Sequence, residues 1–205
     1  MERTVLRGEA HAQVRDLGER RLRPTEGEVT SWVGMTIFLG SWAMMFAALF
    51  FAYAVVRAHA TSWPPPGSPA LPIVVPGLNT LVLAASSAAV AIGVRAHALH
   101  RRRATPALAC GAALGALFLA LQLLVWVRVW ESGLVPSGGP YPSVFYALTV
   151  FHALHALVGI AALALLAAGG FAGRAASRSA VRLWGMFWHF VGAVWCALYA
   201  AVYLA

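Results

Sequence analysis

Three histidines inside apolar stretches are the residues of this chain whose type and spacing could support chemistry. His152 and His155 lie three residues apart, on adjacent faces of one helical turn, and His189 lies in the next apolar stretch. A histidine at membrane depth indicates a haem or metal ligand, or a proton relay. Two imidazoles at this spacing cannot take opposite axial positions on one haem, so a haem site would need His189 to oppose one of them across a bundle.

The structural alternative for these histidines is that each ring donates to a backbone carbonyl, a hydroxyl or a lipid phosphate. Other reactive groups are scarce: Glu131 is the only acid after Glu28, so ion-coupled transport by this chain alone is not expected. Cys110 and Cys196 show no ligand spacing, and no Walker loop, nucleophile elbow or dinucleotide fingerprint occurs. We therefore favour the structural interpretation and expect no catalytic residue and no metal site in this chain.

The elements that must position these residues are long apolar runs. Hydrophobic residues make up 60% of the 205 residues and charged residues 11%, which is more apolar surface than a water-soluble domain could cover. Runs of about 20 residues or more, the length that a helix needs to cross a bilayer, occupy residues 32–56, 73–96, 106–130, 143–168 and 183–204. The sequence predicts an all-α, polytopic membrane protein, with a cytoplasmic segment at residues 1–30 and a five-helix transmembrane domain at residues 31–205.

The formal charge of +8 indicates topology, because the basic residues are all arginines with an uneven distribution. Of the 15, only Arg57 and Arg128 fall near the ends opposite to the other arginines. The positive-inside rule then places the N-terminus in the cytoplasm and the C-terminus outside. A nucleic-acid surface is not expected, because the chain offers no long soluble segment that could carry one.

Polar and small residues inside the runs predict helix contacts. Asn79, Gln122 and Thr149 each need a hydrogen-bond partner in hydrocarbon and are expected to face protein. Gly111 and Gly115, four residues apart, would allow a neighbouring helix to approach closely. Tryptophans near the ends of the runs are interpreted as interface anchors: Trp32, Trp63, Trp126, Trp130, Trp184 and Trp188.

Five stretches, one in each predicted helix, resemble subunit III of the haem-copper terminal oxidases. Residues 34–57 are similar to G-M-x-x-F-L-x-S-E followed by F-F-A-x-Y, and residues 79–87 to N-T-x-x-L-x-x-S-S. Residues 119–126 resemble L-x-L-Q-x-x-E-W, and residues 143–159 resemble F-x-x-x-T-x-F-H-x-x-H-x-x-x-G. Residues 188–195 resemble W-H-F-V-D-x-V-W. The five matches occur in order over residues 34–204.

This resemblance implies an accessory subunit of the short, five-helix bacterial form, located in the plasma membrane with its C-terminus external. Such a subunit has no cofactor of its own: haems and copper belong to its main partner, subunit I, and subunits II and IV are further possible partners. It binds structural phospholipid, supports proton uptake and protects the oxidase during turnover. The resemblance makes these residues packing or lipid-facing groups: His152, His155, Trp188, His189 and Arg182.

Three departures from the family pattern each remove a carboxylate. Trp42 and Val125 stand where the family has glutamate, and Gly192 stands where it has aspartate, which puts any role of those acids in question. The sequence at residues 79–87 and 119–122 favours a cytochrome c oxidase over a quinol oxidase or a nitric oxide reductase-associated homologue. The alternative outside this family is a free-standing haem-binding membrane protein that uses the three histidines.

Overall fold

A computed structural model of the chain describes residues 26–69, 71–174 and 176–204. It contains five long helices: α1 Glu26–His59, α2 Val74–Ala98, α3 Ala104–Glu131, α4 Pro140–Phe171 and α5 Arg178–Leu198. The last helix continues through a π-helical segment, Tyr199–Leu204. Each of the five is long and apolar enough to cross a membrane, so the predicted all-α class with five membrane helices is confirmed. The domain boundary at residue 30 stays a prediction, since residues 1–25 lie outside the described part.

Helices α2 to α5 form a closed ring. Helix α3 packs against α2 and α4, and α5 packs against the same two helices. The centre of this ring is filled by side chains that are almost fully buried, and the largest are aromatic: Trp188, Trp195, Phe118, Phe145 and Phe187. The core of the ring is therefore an aromatic cluster supplied by α3, α4 and α5, and Leu83 and Val90 of α2 belong to the same buried core.

Helix α1 is attached to this ring through aromatic side chains. The described residues divide into two units, one ending at Ile37 and the other beginning at Phe38. In the second unit, the Trp42 ring lies 4.0 Å from the ring of His155 between centroids, and the Phe46 ring lies 5.2 Å from it. Phe38 contacts Phe187 of α5 at 6.3 Å. From Phe38 onward, α1 is thus held to α4 and α5 by aromatic ring contacts.

The proline-rich connection between α1 and α2 folds back on the bundle at Trp63. Its ring lies between those of Tyr53 and Tyr141, at centroid distances of 5.4 and 4.8 Å. The Arg57 guanidinium lies 5.9 Å from the same ring, within the range of a cation–π contact. This tryptophan therefore fixes the connection to the start of α4.

Candidate functional site: the polar core of the helix ring

Trp188 of α5 occupies a slot between two glycines of neighbouring helices. A Cβ atom added to Gly115 of α3 would lie 2.7 Å from Trp188 Cη2, and one added to Gly159 of α4 would lie 2.7 Å from Trp188 Cε3. The indole has no exposed surface. Trp188 is therefore a core residue, and its interpretation as an interface anchor is wrong, because a tryptophan near the end of an apolar run can also point inward.

The expected close helix approach is confirmed at Gly111 but not at Gly115, where the neighbouring atoms all belong to side chains. A Cβ atom on Gly111 would lie 2.5 Å from Val90 Cγ2 of α2, so the two helices approach closely at this glycine. Gly115 instead makes room for the Trp188 ring. The two glycines thus serve different neighbours, although they lie on one face of α3.

The indole N–H groups of α5 donate to hydroxyls of α2. Trp188 Nε1 donates to Ser86 Oγ at 3.1 Å, and that hydroxyl in turn donates to the Gly111 carbonyl of α3 at 2.7 Å. Six residues earlier in α2, Thr80 Oγ1 accepts a hydrogen bond from Trp195 Nε1 at 2.9 Å. These relays satisfy polar groups in a region without water, where each unpaired group would be costly.

The three polar residues expected to face protein are all buried. Asn79 Nδ2 donates to the Phe118 carbonyl at 3.1 Å, and Gln122 Nε2 lies 3.4 Å from Tyr203 Oη. Thr149 Oγ1 accepts from Trp126 Nε1 at 3.2 Å and donates to a carbonyl one turn earlier in α4. Each side chain joins two elements, so these groups hold the ring of helices together.

The two histidines of α4 differ in their surroundings. His155 Nδ1 lies 2.6 Å from the Phe151 carbonyl, so this nitrogen carries the proton and Nε2 is left as an acceptor. His152 packs its ring against Phe118 and Trp195, and neither of its nitrogens has a hydrogen-bond partner in the described part of the chain. The interpretation that each imidazole donates a hydrogen bond, for example to a backbone carbonyl, is confirmed for His155 and is wrong for His152.

His189 lies apart from these two, on the outer side of α5. It is exposed and lines a cavity of about 280 Å³ between α2 and α5, beside Ser87 and Gly192. Arg182, seven residues and thus about two turns earlier, is also exposed. Within the described residues, no group of three or more histidine, cysteine or acidic side chains is placed to hold a metal. The structure does not bring the three histidines together.

The positions that lack the family's carboxylates lie in three different surroundings. Trp42 is half-buried and packs edge-on against His155, whose Nε2 has no hydrogen-bond partner in the described part of the chain. Val125 is buried in the apolar core. Gly192 faces Ser87, whose Oγ would lie 3.2 Å from an added Cβ. An apolar residue thus fills each of the first two positions, while the third is left open.

Four residues that matter to this core were not singled out in the sequence: Thr80, Ser86, Gly159 and Trp195. The sequence could have indicated these four residues, because each lies in a stretch that resembles the oxidase subunit. Thr80 and Ser86 lie in the stretch of residues 79–87, and Trp195 ends that of residues 188–195. Motif residues of α2 and α5 are therefore hydrogen-bond partners of one another.

Comparison with known proteins identifies the same family along most of the chain. The family model for cytochrome c oxidase subunit III matches residues 26–205. A cytochrome c oxidase subunit 3 of Synechocystis is 34% identical over 178 residues, which cover 83% of this chain and 74% of the relative. A probable cytochrome c oxidase subunit 3 of Nocardia farcinica is 36% identical, with 83% and 86% covered. The subunit of Tachyglossus aculeatus aculeatus is 34% identical, with 83% and 67% covered.

Proposed function

Since this chain belongs to the cytochrome c oxidase subunit III family, we propose that it is an accessory, cofactor-free subunit of a respiratory cytochrome c oxidase. It packs against the catalytic subunit I, where haems and copper reduce oxygen, and subunits II and IV are further candidate partners. Its role is to stabilise the catalytic subunit, to bind structural phospholipid and to support proton uptake during turnover.

One observation supports this role above the others: several polar side chains of the bundle core make hydrogen bonds between its own helices. Asn79, Ser86 and Thr149 each join two elements through hydrogen bonds of 3.2 Å or less. These three side chains are engaged in packing and are therefore not free to act as the acid, base or nucleophile that catalysis needs. A scaffold that supports a catalytic partner fits such a core.

The surface of α1 supports a role inside an assembly or in contact with lipid. Met44 and Phe51, seven residues apart and therefore on one face of the helix, are 76% and 71% exposed. Acyl chains or an apolar partner helix would cover such a face in the membrane. We assign the face to lipid and to subunit I together, in line with the proposed role.

Gentle removal of this chain from the oxidase tests the proposed role. We expect the haem content and the initial rate of oxygen reduction to stay largely unchanged, because the chain supplies no haem ligand, and the number of turnovers before inactivation to fall several-fold. The measurement is oxygen consumption followed to exhaustion, with and without the chain, together with a visible spectrum of each preparation. A matched control is the depleted complex after the chain is added back. Immediate loss of haem, or failure of the tagged chain to co-purify with subunit I, would contradict the proposal.

The proposed location is a bacterial plasma membrane, with the N-terminus cytoplasmic and the C-terminus external. The support is the arginine distribution: exposed arginines follow α2 and α4, at the same end of the ring. A reporter enzyme that is active only outside the membrane, fused after Ala205, should be active, and the same reporter placed after Arg102 should be silent. The reverse pattern would show that the chain is inserted in the opposite orientation.

A further inference from the structure

Three polar side chains inside the helix ring are completely buried and still carry unpaired atoms. Asn79, Gln122 and His152 are each at most 1% exposed. Asn79 Oδ1, Gln122 Oε1 and both ring nitrogens of His152 have no hydrogen-bond partner in the described part of the chain. Nearly every buried polar atom of a native protein is paired, either with protein or with ordered water. Four unpaired atoms on three side chains of one bundle are therefore unusual.

The three side chains surround the same turn of α3. Asn79 Nδ2 donates to the Phe118 carbonyl at 3.1 Å, and Gln122 follows Phe118 by four residues, on the same face of the helix. His152 of α4 lies edge-on to the Phe118 ring, at 5.8 Å between centroids. Side chains from α2, α3 and α4 therefore meet in one region in the middle of the bundle.

Aromatic residues of α5 and of its π-helical end close this region. The Trp195 ring lies 5.3 Å from the ring of His152 and 4.8 Å from that of Phe118, between centroids. The Tyr203 ring lies 6.3 Å from Trp195, and its hydroxyl lies 3.4 Å from Gln122 Nε2. Trp195 is 0% exposed and Tyr203 5%. All four helices of the ring thus shield the region from lipid and from bulk water.

The unpaired atoms match the hydrogen-bonding capacity of one water molecule. Each amide engages its nitrogen in the contacts above, which leaves one carbonyl oxygen on Asn79 and one on Gln122 as acceptors. A neutral imidazole has one N–H donor, whichever tautomer it adopts. A water molecule can donate to both oxygens and accept from the imidazole, and about three hydrogen bonds are typical of a buried water.

We propose that the core of the helix ring holds an ordered water molecule, which accepts a hydrogen bond from His152 and donates to Asn79 and Gln122. A cation suits the region less well, because from Phe38 onward Glu131 is the only acidic residue, nine residues beyond Gln122 at the end of α3. The water joins α4 to α2 and α3 and gives His152 a fixed orientation. This site belongs to the chain itself and does not depend on the proposed role in an oxidase.

The first test is a density map of the full chain, crystallised from lipid or imaged within the complex with which it co-purifies, at a resolution that shows ordered water. We expect a peak at hydrogen-bonding distance, about 2.7–3.2 Å, from one ring nitrogen of His152 and from the two amide oxygens. A map without this peak would overturn the proposal. So would side chains that have turned to bond to one another directly.

A double-mutant cycle gives a second test, with thermal unfolding in mild detergent as the measurement. His152→Phe and Asn79→Leu each remove one partner of the same water, so the loss of stability in the double variant should be clearly smaller than the two single losses added together. The matched control combines Asn79→Leu with Ser86→Ala. Ser86 is also 0% exposed, lies about two turns further along α2 and donates to the Gly111 carbonyl.

The two losses in the control pair should add, because Asn79 and Ser86 share no partner. Additive losses for His152→Phe and Asn79→Leu would contradict a bridging water, and so would a control pair that deviates from additivity by the same amount. The density map of the unsubstituted chain decides the matter for any variant that does not fold.

Discussion

Replacement of Gly159 by leucine is expected to destabilise this protein by about 3 kcal/mol or more. A Cβ atom at this position would lie 2.7 and 2.9 Å from two carbons of the Trp188 ring and 3.3 Å from Phe187 Cε1. Trp188 cannot move away, because Gly115 of α3 lies against its other edge and Ser86 accepts its N–H. Overpacking of a core typically costs about 1–3 kcal/mol, and a leucine wedged against a fully enclosed ring belongs at the upper end of that range or above it.

The measurement is the yield and thermal unfolding of the chain in mild detergent, followed by size-exclusion chromatography. Gly40→Leu is the matched control: the same substitution in α1, at a glycine whose added Cβ would meet nothing within 4 Å. It should melt like the unsubstituted chain. Gly159→Ala combined with Trp188→Leu should cost less than the two changes added together, since both disturb one contact. A Gly159→Leu chain as stable as Gly40→Leu would show that the slot is not tight.

A second large effect is expected with dicyclohexylcarbodiimide, which reacts with protonated carboxyl groups that it reaches through lipid. A carboxylic acid in hydrocarbon keeps its proton because ionising it there is costly. The unsubstituted chain has no such acid between Trp32 and Val127, so no adduct should form there. Trp42→Glu should create a labelling site, because this position is only half-buried and a reagent dissolved in the lipid can reach it.

The structure adds a partner for the restored acid. His155 Nε2 is an acceptor with no hydrogen-bond partner in the described residues, and the Trp42 ring lies next to the imidazole. A protonated glutamic acid at position 42 can therefore donate a hydrogen bond to this nitrogen while it keeps its proton, which is the state that the reagent labels. Trp42→Gln is the matched control, because it can also donate to Nε2 but carries no carboxyl group. Mass spectrometry of the treated complex decides the matter: an adduct between residues 32 and 127 in the unsubstituted chain, or an unlabelled Trp42→Glu chain, would contradict this account.

The sequence predicted the number of helices because each run is long and nearly free of charge, and hydrocarbon permits few other structures for such segments. It also predicted the close approach of a neighbouring helix at Gly111, although the space at Gly115 is filled by a tryptophan side chain. These inferences use local spacing alone. They do not depend on how the other helices are arranged.

The partners across the bundle could not be predicted in the same way. Trp188 reaches Ser86 over 102 residues of sequence and Trp195 reaches Thr80 over 115, and nothing in the local pattern of α5 says which helix lies opposite. The same limit applies to His152. Its type predicted a hydrogen-bonded ring, whereas the aromatic neighbours supplied by α3 and α5 leave its nitrogens without a partner in the described part of the chain.

The Trp188 slot also bears on how the protein is made. The chain is synthesised from its N-terminus, so α3 and α4 are inserted before α5 exists, and at that stage the groove between Gly115 and Gly159 has no indole to fill it. We expect a lipid chain to occupy the groove in this nascent intermediate, with the Ser86 hydroxyl still bonded to the Gly111 carbonyl of α3. Arrival of α5 then exchanges that lipid for a tryptophan. On this expectation, the last step in the assembly of the bundle expels lipid from its own interior.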